Sequence, residues 1–414
     1  MNKNSLAYTQ NCFIKDSKVW ERLISKTLSQ CIEKTGSSVV SKLTMEAFDE
    51  FNGPLTGVPY AVKDLFDVTG LPSQNSSILK EFKELATKDS SIVARMKQLG
   101  ARCVAKTQMN EFAYGLTGEN PHFGNCRHPT LENHMSGGSS SGSAYLVGAG
   151  YLPLSFGTDT GGSIRLPAAW CGIYGIRWIP GYYLEGAFPL APSFDTMGWF
   201  TSSSIDMVRT LEAWFNHNSK SSLPELKGCS ILPKDLLELE TFNRLKACIS
   251  GLKIEPLENT AAFEELLPKC QSAFNILQSI EAYAIHKKLI EENSDSYDPN
   301  VKSRIMRAKE WTHEEISLAH QQKDQIKHWF NSFFESYDFL VMPICPCPSV
   351  SFKDSRPKLR EITLQLTTPA SLSGLPALAV PIWLDNNRSV GLQFIFKNVE
   401  PLVPLALLEL CRSI

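Results

Sequence analysis

The sequence predicts an α/β protein built on a parallel or mixed β-sheet, and three observations carry that prediction. Through the N-terminal half, short apolar runs alternate with amphipathic helical stretches, the pattern of a sheet covered by helices. From about Ser219 to Ser336 the chain turns into charged amphipathic helix. Strand-like runs then return at Tyr337–Pro343 and Ala377–Trp383, so the helices read as a cover over one sheet. At 414 residues the chain exceeds what one simple core supports, which leaves two domains or one large α/β domain with inserted helices. The returning strands favour one domain over residues 1–414, with a helical cover at about 219–336.

The elements follow in order. Residues from about Lys18 to Glu50 have helical character. GPLTGVPYAVKDLFDVTG reads as turn, short strand Tyr60-Ala-Val and turn, which puts Lys63 at the strand end. SSIVARMKQLGARCVAKTQ is an amphipathic helix stopped by Gly100, followed by a buried strand from Arg102 to Lys106. Ser202 to Ser204 with Asp206 can open a helix, because a serine side chain accepts an N–H of the first turn. A strand is expected at Gly228–Leu232, and the chain closes on a strand VGLQFIF and a helix PLVPLALLELCRSI.

Charge and composition exclude several functions. A net charge of −2 without runs of like charge gives no electrostatic footprint for nucleic acid or for a membrane surface. MNKNSLAYTQNCFIKDSKVWERL has neither an apolar core nor a small-residue cleavage pattern, so a cytosolic location is expected. Eleven scattered cysteines read as reduced residues, and Cys345 and Cys347, a C-x-C between prolines, as core or loop residues. His313, His320 and His328 fall on the solvated face of a polar helix. No metal site and no cofactor are expected.

The chemistry concentrates between Met135 and Arg177, MSGGSSSGSAYLVGAGYLPLSFGTDTGGSIRLPAAWCGIYGIR. Gly/Ser-rich segments are often flexible linkers, but the apolar AYLVGAGYLPLSFG can bury, and linkers do not. Met135 to Thr158 carries no charge, yet its Gly and Ser density argues against membrane insertion. A buried helix and strand between two tight turns fits better. A serine nucleophile needs a base for its proton and donors for the oxyanion that forms. Thr160, Gly161 and Gly162 before Ser163 can converge their N–H groups into such a hole, and Asp159 and Arg165 can hold the turn or simply pair with each other. No histidine lies near a second motif, and a G-x-S-x-G elbow is missing. Lys63 is the other base: burial at a strand end lowers a lysine pKa towards neutrality, whereas an exposed Lys63 is an ordinary surface residue.

These segments resemble the amidase signature family. GVPYAVKDLFDVTGLP is similar to the segment around the family's catalytic lysine, and GGSSSGSA with GTDTGGSIRLPAAWCGIYGIR to its signature proper. AKTQMNEFAYGLTGENPHFGN and SLSGLPALAVPIWLDNNRSVGLQFI fit its linking and C-terminal segments. The resemblance implies the amidase signature fold, a large twisted mixed sheet with helices on both faces. It also implies a triad of Lys63, Ser139 and Ser163, with Ser139 following a cis peptide after Gly138. In the implied relay, neutral Lys63 takes a proton from Ser139 while Ser139 takes one from Ser163, which attacks the amide carbonyl within a hole formed by Thr160, Gly161, Gly162 and Ser163. Ser140 is then a supporting donor, and Ala113 matches a substrate-contacting position whose plain reading is core packing. Ser136 stands where the family commonly has Pro, and Arg177-Trp178-Ile179 replaces its usual Lys-Pro-Thr/Ser, which touches loop shape and the substrate entrance.

Within the family the chain looks most similar to single-chain amidases typified by plant indole-3-acetamide hydrolase. The expected activity is hydrolysis of a small-molecule amide to acid and ammonia or amine. Two alternatives stand beside it: the glutamine-using, glutaminase-type subunit of a glutamyl-tRNA amidotransferase, and a catalytically silent binding module. A homodimer is left open.

Overall fold

The computed structural model describes residues 5–43, 52–217, 222–354, 356–397 and 401–414. Strands β1 (Val40–Leu43), β2 (Pro59–Lys63), β3 (Arg102–Thr107) and β4 (Leu154–Thr158) come first, then β5 (Tyr174–Arg177) and β6 (Met197–Thr201). β7 (Gly228–Ser230) and β8 (Glu255–Pro256) precede the long helices, and β9 (Phe339–Pro343), β10 (Ala377–Trp383) and β11 (Ser389–Phe396) follow them. Among the described residues these form one eleven-stranded sheet in the order β1-β3-β2-β4-β6-β5-β10-β11-β9-β7-β8. It is mixed: β2 runs parallel to β3 and β4, while β4 through β6, β5, β10 and β11 to β9 alternates direction.

β2, β4, β6 and β9 are buried at every residue, so both faces of the central sheet are covered. Behind β4 and β6, Phe156, Trp178, Trp199 and Trp214 pack ring against ring, with Trp178 and Trp199 centroids 5.7 Å apart. The expected cover consists of helices Leu239–Gly251, Thr260–Glu264, Leu267–Asn293, Pro299–Met306 and His313–Phe333, and β7 and β8 add two strands to the same stretch. His313–Phe333 opens on a capping box between Thr312 and Glu315, and its His313, His320 and His328 are exposed.

The uncharged block folds into helix Ser141–Gly148 followed by β4. No helix among the described residues is long and apolar enough to cross a membrane. Ser203 caps helix Ser204–Phe215 by accepting the Asp206 N–H. Other expectations need correction. The helix beginning near Lys18 ends at Thr35, where Gly36 takes a φ of +63°, and the chain then enters β1; residues 44–50 of the expected stretch lie outside the described residues, as does the start of the cover at 219. β5, β6 and a buried helix, Leu359–Ser373, were not anticipated. That helix runs on despite Pro369, which has no N–H to offer the preceding turn.

The topology decides where chemistry can happen. β2 and β4 are parallel neighbours whose carboxyl ends lie side by side, so Lys63 and Thr158 emerge at the same edge. Open sheets bind ligands at the carboxyl ends of their strands.

Candidate active site

Lys63 ends β2 fully buried, and its Nζ donates to Ser139 Oγ at 2.7 Å and to Thr158 Oγ1 at 2.8 Å. Burial disfavours the ammonium form and, although Asp195 and Asp159 pull the other way, brings the lysine down to about 7. Lys63 is therefore a buried amine, and the surface-residue alternative falls away. Ser139 follows a cis peptide from Gly138. Gly138 admits no side chain, because a Cβ there would lie 2.2 Å from Asn110 Oδ1. Ser140 Oγ donates to the Thr158 carbonyl at 3.0 Å and accepts the Thr158 N–H. It thereby fixes the strand end that carries the lysine's second partner.

Ser163 lies in the loop between β4 and helix Arg165–Cys171. It is 3% exposed, whereas Lys63 and Ser139 are 0% exposed, so it is the member of the three that solvent reaches. Among the described residues no hydrogen bond joins Ser139 Oγ to Ser163 Oγ. The loop is organised around Asp159. Its carboxylate accepts the N–H groups of Gly162, Ile164 and Arg165 and the guanidinium of Arg165, and it pairs with Arg177 at 3.1 Å. Burial opposes its charge, yet Arg165 and Arg177 outweigh that and hold the carboxyl well below the usual range. Asp159 and Arg165 thus both grip the turn and pair with each other.

One expectation for the oxyanion donors changes here. The Gly162 N–H, at φ +127°, points to Asp159 Oδ1 at 2.8 Å and away from the site. The amides of Thr160, Gly161 and Ser163 donate to no acceptor among the described residues.

Several residues of the site were invisible in the sequence. Thr160 Oγ1 donates to Asp195 Oδ1 at 2.7 Å, and Asp195 Oδ2 accepts the N–H groups of Leu190 and Ala191. Thr367 Oγ1 donates to the Gly161 carbonyl at 2.7 Å. Arg165 Nη1 donates to the Thr367 carbonyl and to Gln393 Oε1, and Ser371 Oγ accepts from both Arg165 and Arg177. The unforeseen helix Leu359–Ser373 is therefore the outer wall of the loop. No local motif announces these contacts, since Thr, Ser and Gln acquire them only when distant segments meet.

Ala113 lines a cavity of about 200 Å³ together with Leu65, Thr158, Phe188, Leu190 and Asp195. The cavity reaches the lysine through Thr158, so Ala113 borders the site as well as the core. Phe112 and Ala113 both have left-handed backbone, with φ of 50° and 60°, which is rare for two successive residues with side chains. Their N–H groups are held by the carbonyls of Asn75 and Asn110. Among the described residues no three His, Cys, Asp or Glu side chains gather as a metal site would require.

The family model for amidases matches residues 31–233 and 238–400. The chain belongs to the amidase family. A subunit of the glutamyl-tRNA(Gln) amidotransferase of Staphylococcus aureus is 30% identical over 452 aligned positions, covering 94% of this chain and 92% of the relative. A crystal structure of an amidase superposes with a TM-score of 0.80 at 29% identity, covering 94% of this chain and 95% of that one. The corresponding amidotransferase subunit from Thermotoga maritima has the same fold, with a TM-score of 0.78 at 23% identity over 100% of this chain and 94% of that one. The chain is thus an amide-hydrolysing enzyme with the amidase signature fold. Its departures from the family pattern take on a place. Arg177 is a buried partner of Asp159, and Trp178 is buried in the aromatic wall, so neither lines a substrate entrance. Ser136 is buried and donates to the Cys126 carbonyl at 2.9 Å.

Proposed function

We propose that this amidase cleaves a small linear carboxylic amide through an acyl-enzyme, with Ser163 as nucleophile, Ser139 as proton bridge and Lys63 as base. The observation that carries the reading is the buried Lys63 Nζ 2.7 Å from Ser139 Oγ. A neutral amine has two N–H groups and one lone pair. Thr158 holds one N–H, and the lone pair receives the Ser139 proton as Ser139 takes that of Ser163. The Ser163–Ser139 contact closes as substrate seats, since catalytic hydrogen bonds commonly tighten only in the substrate complex. As the Ser163 Oγ–C bond forms, the carbonyl π pair moves to oxygen, and the resulting oxyanion faces the amides of Thr160, Gly161 and Ser163. Lys63 gives its proton back to Ser139 as Ser139 passes its own to the departing nitrogen and the C–N bond breaks; water then attacks the ester, its proton moving through Ser139 to Lys63 and returning to the Ser163 oxygen as the acid leaves.

A fluorophosphonate probe, with the adduct mapped by mass spectrometry, tests this directly. Labelling of Ser163 supports it, and labelling elsewhere or none overturns it. The curated relatives favour a second reading, in which the same chemistry supplies ammonia within an amidotransferase. Copurification with partner proteins and a preference for glutamine would support that reading over a stand-alone amidase typified by plant indole-3-acetamide hydrolase. Strands from both ends of the chain share one sheet, which supports a single domain. No disulfide joins the described cysteines, which fits a cytosolic enzyme.

A further inference from the structure

Four residues near the site have left-handed backbone in spite of their side chains: Asn75 and Ser76, with φ of 56° and 48°, and the pair Phe112 and Ala113. Such conformations persist only where the surroundings over-determine them. The two pairs meet, because the Phe112 N–H donates to the Asn75 carbonyl at 3.1 Å and Ser76 Oγ accepts the Met109 N–H at 3.0 Å. The segment around the second pair touches the site twice. Ala113 lines the cavity that reaches Thr158, and the Asn110 N–H donates to the carbonyl of Ser139 at 3.3 Å.

Glu111, between Asn110 and Phe112, ties this segment to the helical cover. Its side chain is fully buried. Oε1 accepts the Ser77 hydroxyl at 2.7 Å, with His122 Nε2 3.2 Å away, and Oε2 accepts the Asp298 N–H at 2.7 Å. Asp298 is the N-cap of helix Pro299–Met306 in the cover, where its own carboxylate accepts the Asn300 N–H. The same helix holds the far end of the segment, since Arg304 Nη1 donates to the Tyr114 carbonyl at 2.6 Å. Phe112 and Ala113 are thus strung between two anchors on one cover helix, and the Tyr297 ring, next to Asp298, lies 5.3 Å from that of Phe112. Burial raises the Glu111 carboxyl to about 7, against the hydrogen bonds from Ser77 and Asp298. A charge is expensive in this place, whereas the loss of the acceptors leaves a buried N–H unpaired.

We propose that Glu111 is a positioning residue. By fastening residues 110–113 to the cover it holds the carbonyl of Ser139 in place and shapes the cavity wall at Ala113, through its hydrogen bonds rather than its charge. It acts through Asn110 and Ala113 and takes no part in proton transfer. For its effect on the reaction the proposal rests on the relay described above.

Two variants test it. Glu111→Met keeps the length and loses both acceptors. Glu111→Gln can still accept the Asp298 N–H through its carbonyl oxygen and offer its NH2 to Ser77 Oγ, since a hydroxyl accepts as well as donates. Both are assayed below their unfolding midpoints, with the rate of fluorophosphonate labelling at Ser163 reporting the relay and amide hydrogen exchange reporting the clamp. In Glu111→Met, labelling should slow by about tenfold or more. Exchange at residues 110–113 should quicken by about tenfold or more while that of β9, β10 and β11 stays as in the wild type. Glu111→Gln should keep both rates within about twofold of the wild type. Unchanged labelling or unchanged local exchange in Glu111→Met overturns the proposal, as does quickening spread over the whole chain. A Glu111→Gln variant as impaired as Glu111→Met also overturns it, because the role would then belong to the charge. If Glu111→Met does not fold, Ser77→Ala takes its place, with the same two changes expected at about threefold or more and the same outcomes refuting. If the wild type is not labelled at Ser163, the relay fails, and the exchange pattern with its rescue by Glu111→Gln decides the clamp alone.

Discussion

The amine of Lys63 lies 2.7 Å from the hydroxyl of Ser139, at the end of a strand buried along its whole length. Because burial brings Lys63 down to about 7, the amine is neutral above that pH and protonated below it. The pH profile of kcat/KM should therefore fall on the acid side with a midpoint near 7 and a slope of one proton. A profile flat from pH 5 to pH 9 would remove Lys63 from the relay.

The same lysine makes a stability prediction. Its folded pKa is below its unfolded value, so between about 7 and the ordinary lysine range the unfolded chain binds the extra proton, and stability rises with pH. Below about 7 both states are protonated and the penalty for burying the charge is constant. Lys63→Met, which keeps the length and removes the charge, should be more thermostable than the wild type at pH 7. That advantage should shrink as the pH is raised towards 10. Unfolding midpoints of the two proteins across this window check the sign.

Asp159→Asn should damage both fold and catalysis. The substitution leaves the buried guanidinium groups of Arg165 and Arg177 without their counter-charge and weakens the grip on Gly162, Ile164 and Arg165. Removing one partner of a buried ion pair costs about 3–5 kcal/mol. Denaturant unfolding should show a loss of that size, and ammonia release should drop at least about a hundredfold, the scale of a disordered oxyanion hole.

Thr367→Val separates positioning from packing. The side chain keeps its shape but loses the hydroxyl that donates to the Gly161 carbonyl. Stability should fall by about 1 kcal/mol, while kcat falls about tenfold with KM little changed. Thr367→Ser, which keeps the hydroxyl, should restore most of the turnover. If both variants turn over like the wild type, Thr367 has no part in shaping the loop.

How much of this was legible in the sequence depended on where each residue's partners lie. Lys63 stood at the end of a recognisable strand and Ser163 followed the glycines its turn requires, so both were legible from the residues, whereas Ser139 was set apart from the serines beside it only by the resemblance to the amidase signature family. Thr158, Asp195, Thr367 and Gln393 were silent, because each is an ordinary residue whose role arises only when segments far apart in the chain pack together. β5 and β6 were missed because Gly175 and Gly198 interrupt short runs that otherwise read as strands. Helix Leu359–Ser373 combines a threonine pair with Pro369, both poor helix signals. It is held in place by Arg165, whose Nη1 donates to the Thr367 carbonyl, and by Gln393, whose Nε2 donates to the Leu366 carbonyl. The overextended first helix shows the converse: polar periodicity continued past Thr35, but a single left-handed glycine ended it.

The clamp on Arg165 has a consequence for the order in which the enzyme matures. A ribosome has assembled every side chain of the proposed relay by residue 163, yet the loop presenting Ser163 is secured by Thr367, Ser371 and Gln393. A nascent chain therefore carries the residues of the proposed relay while the loop presenting Ser163 is unsecured, until Thr367, Ser371 and Gln393 have been synthesised and docked.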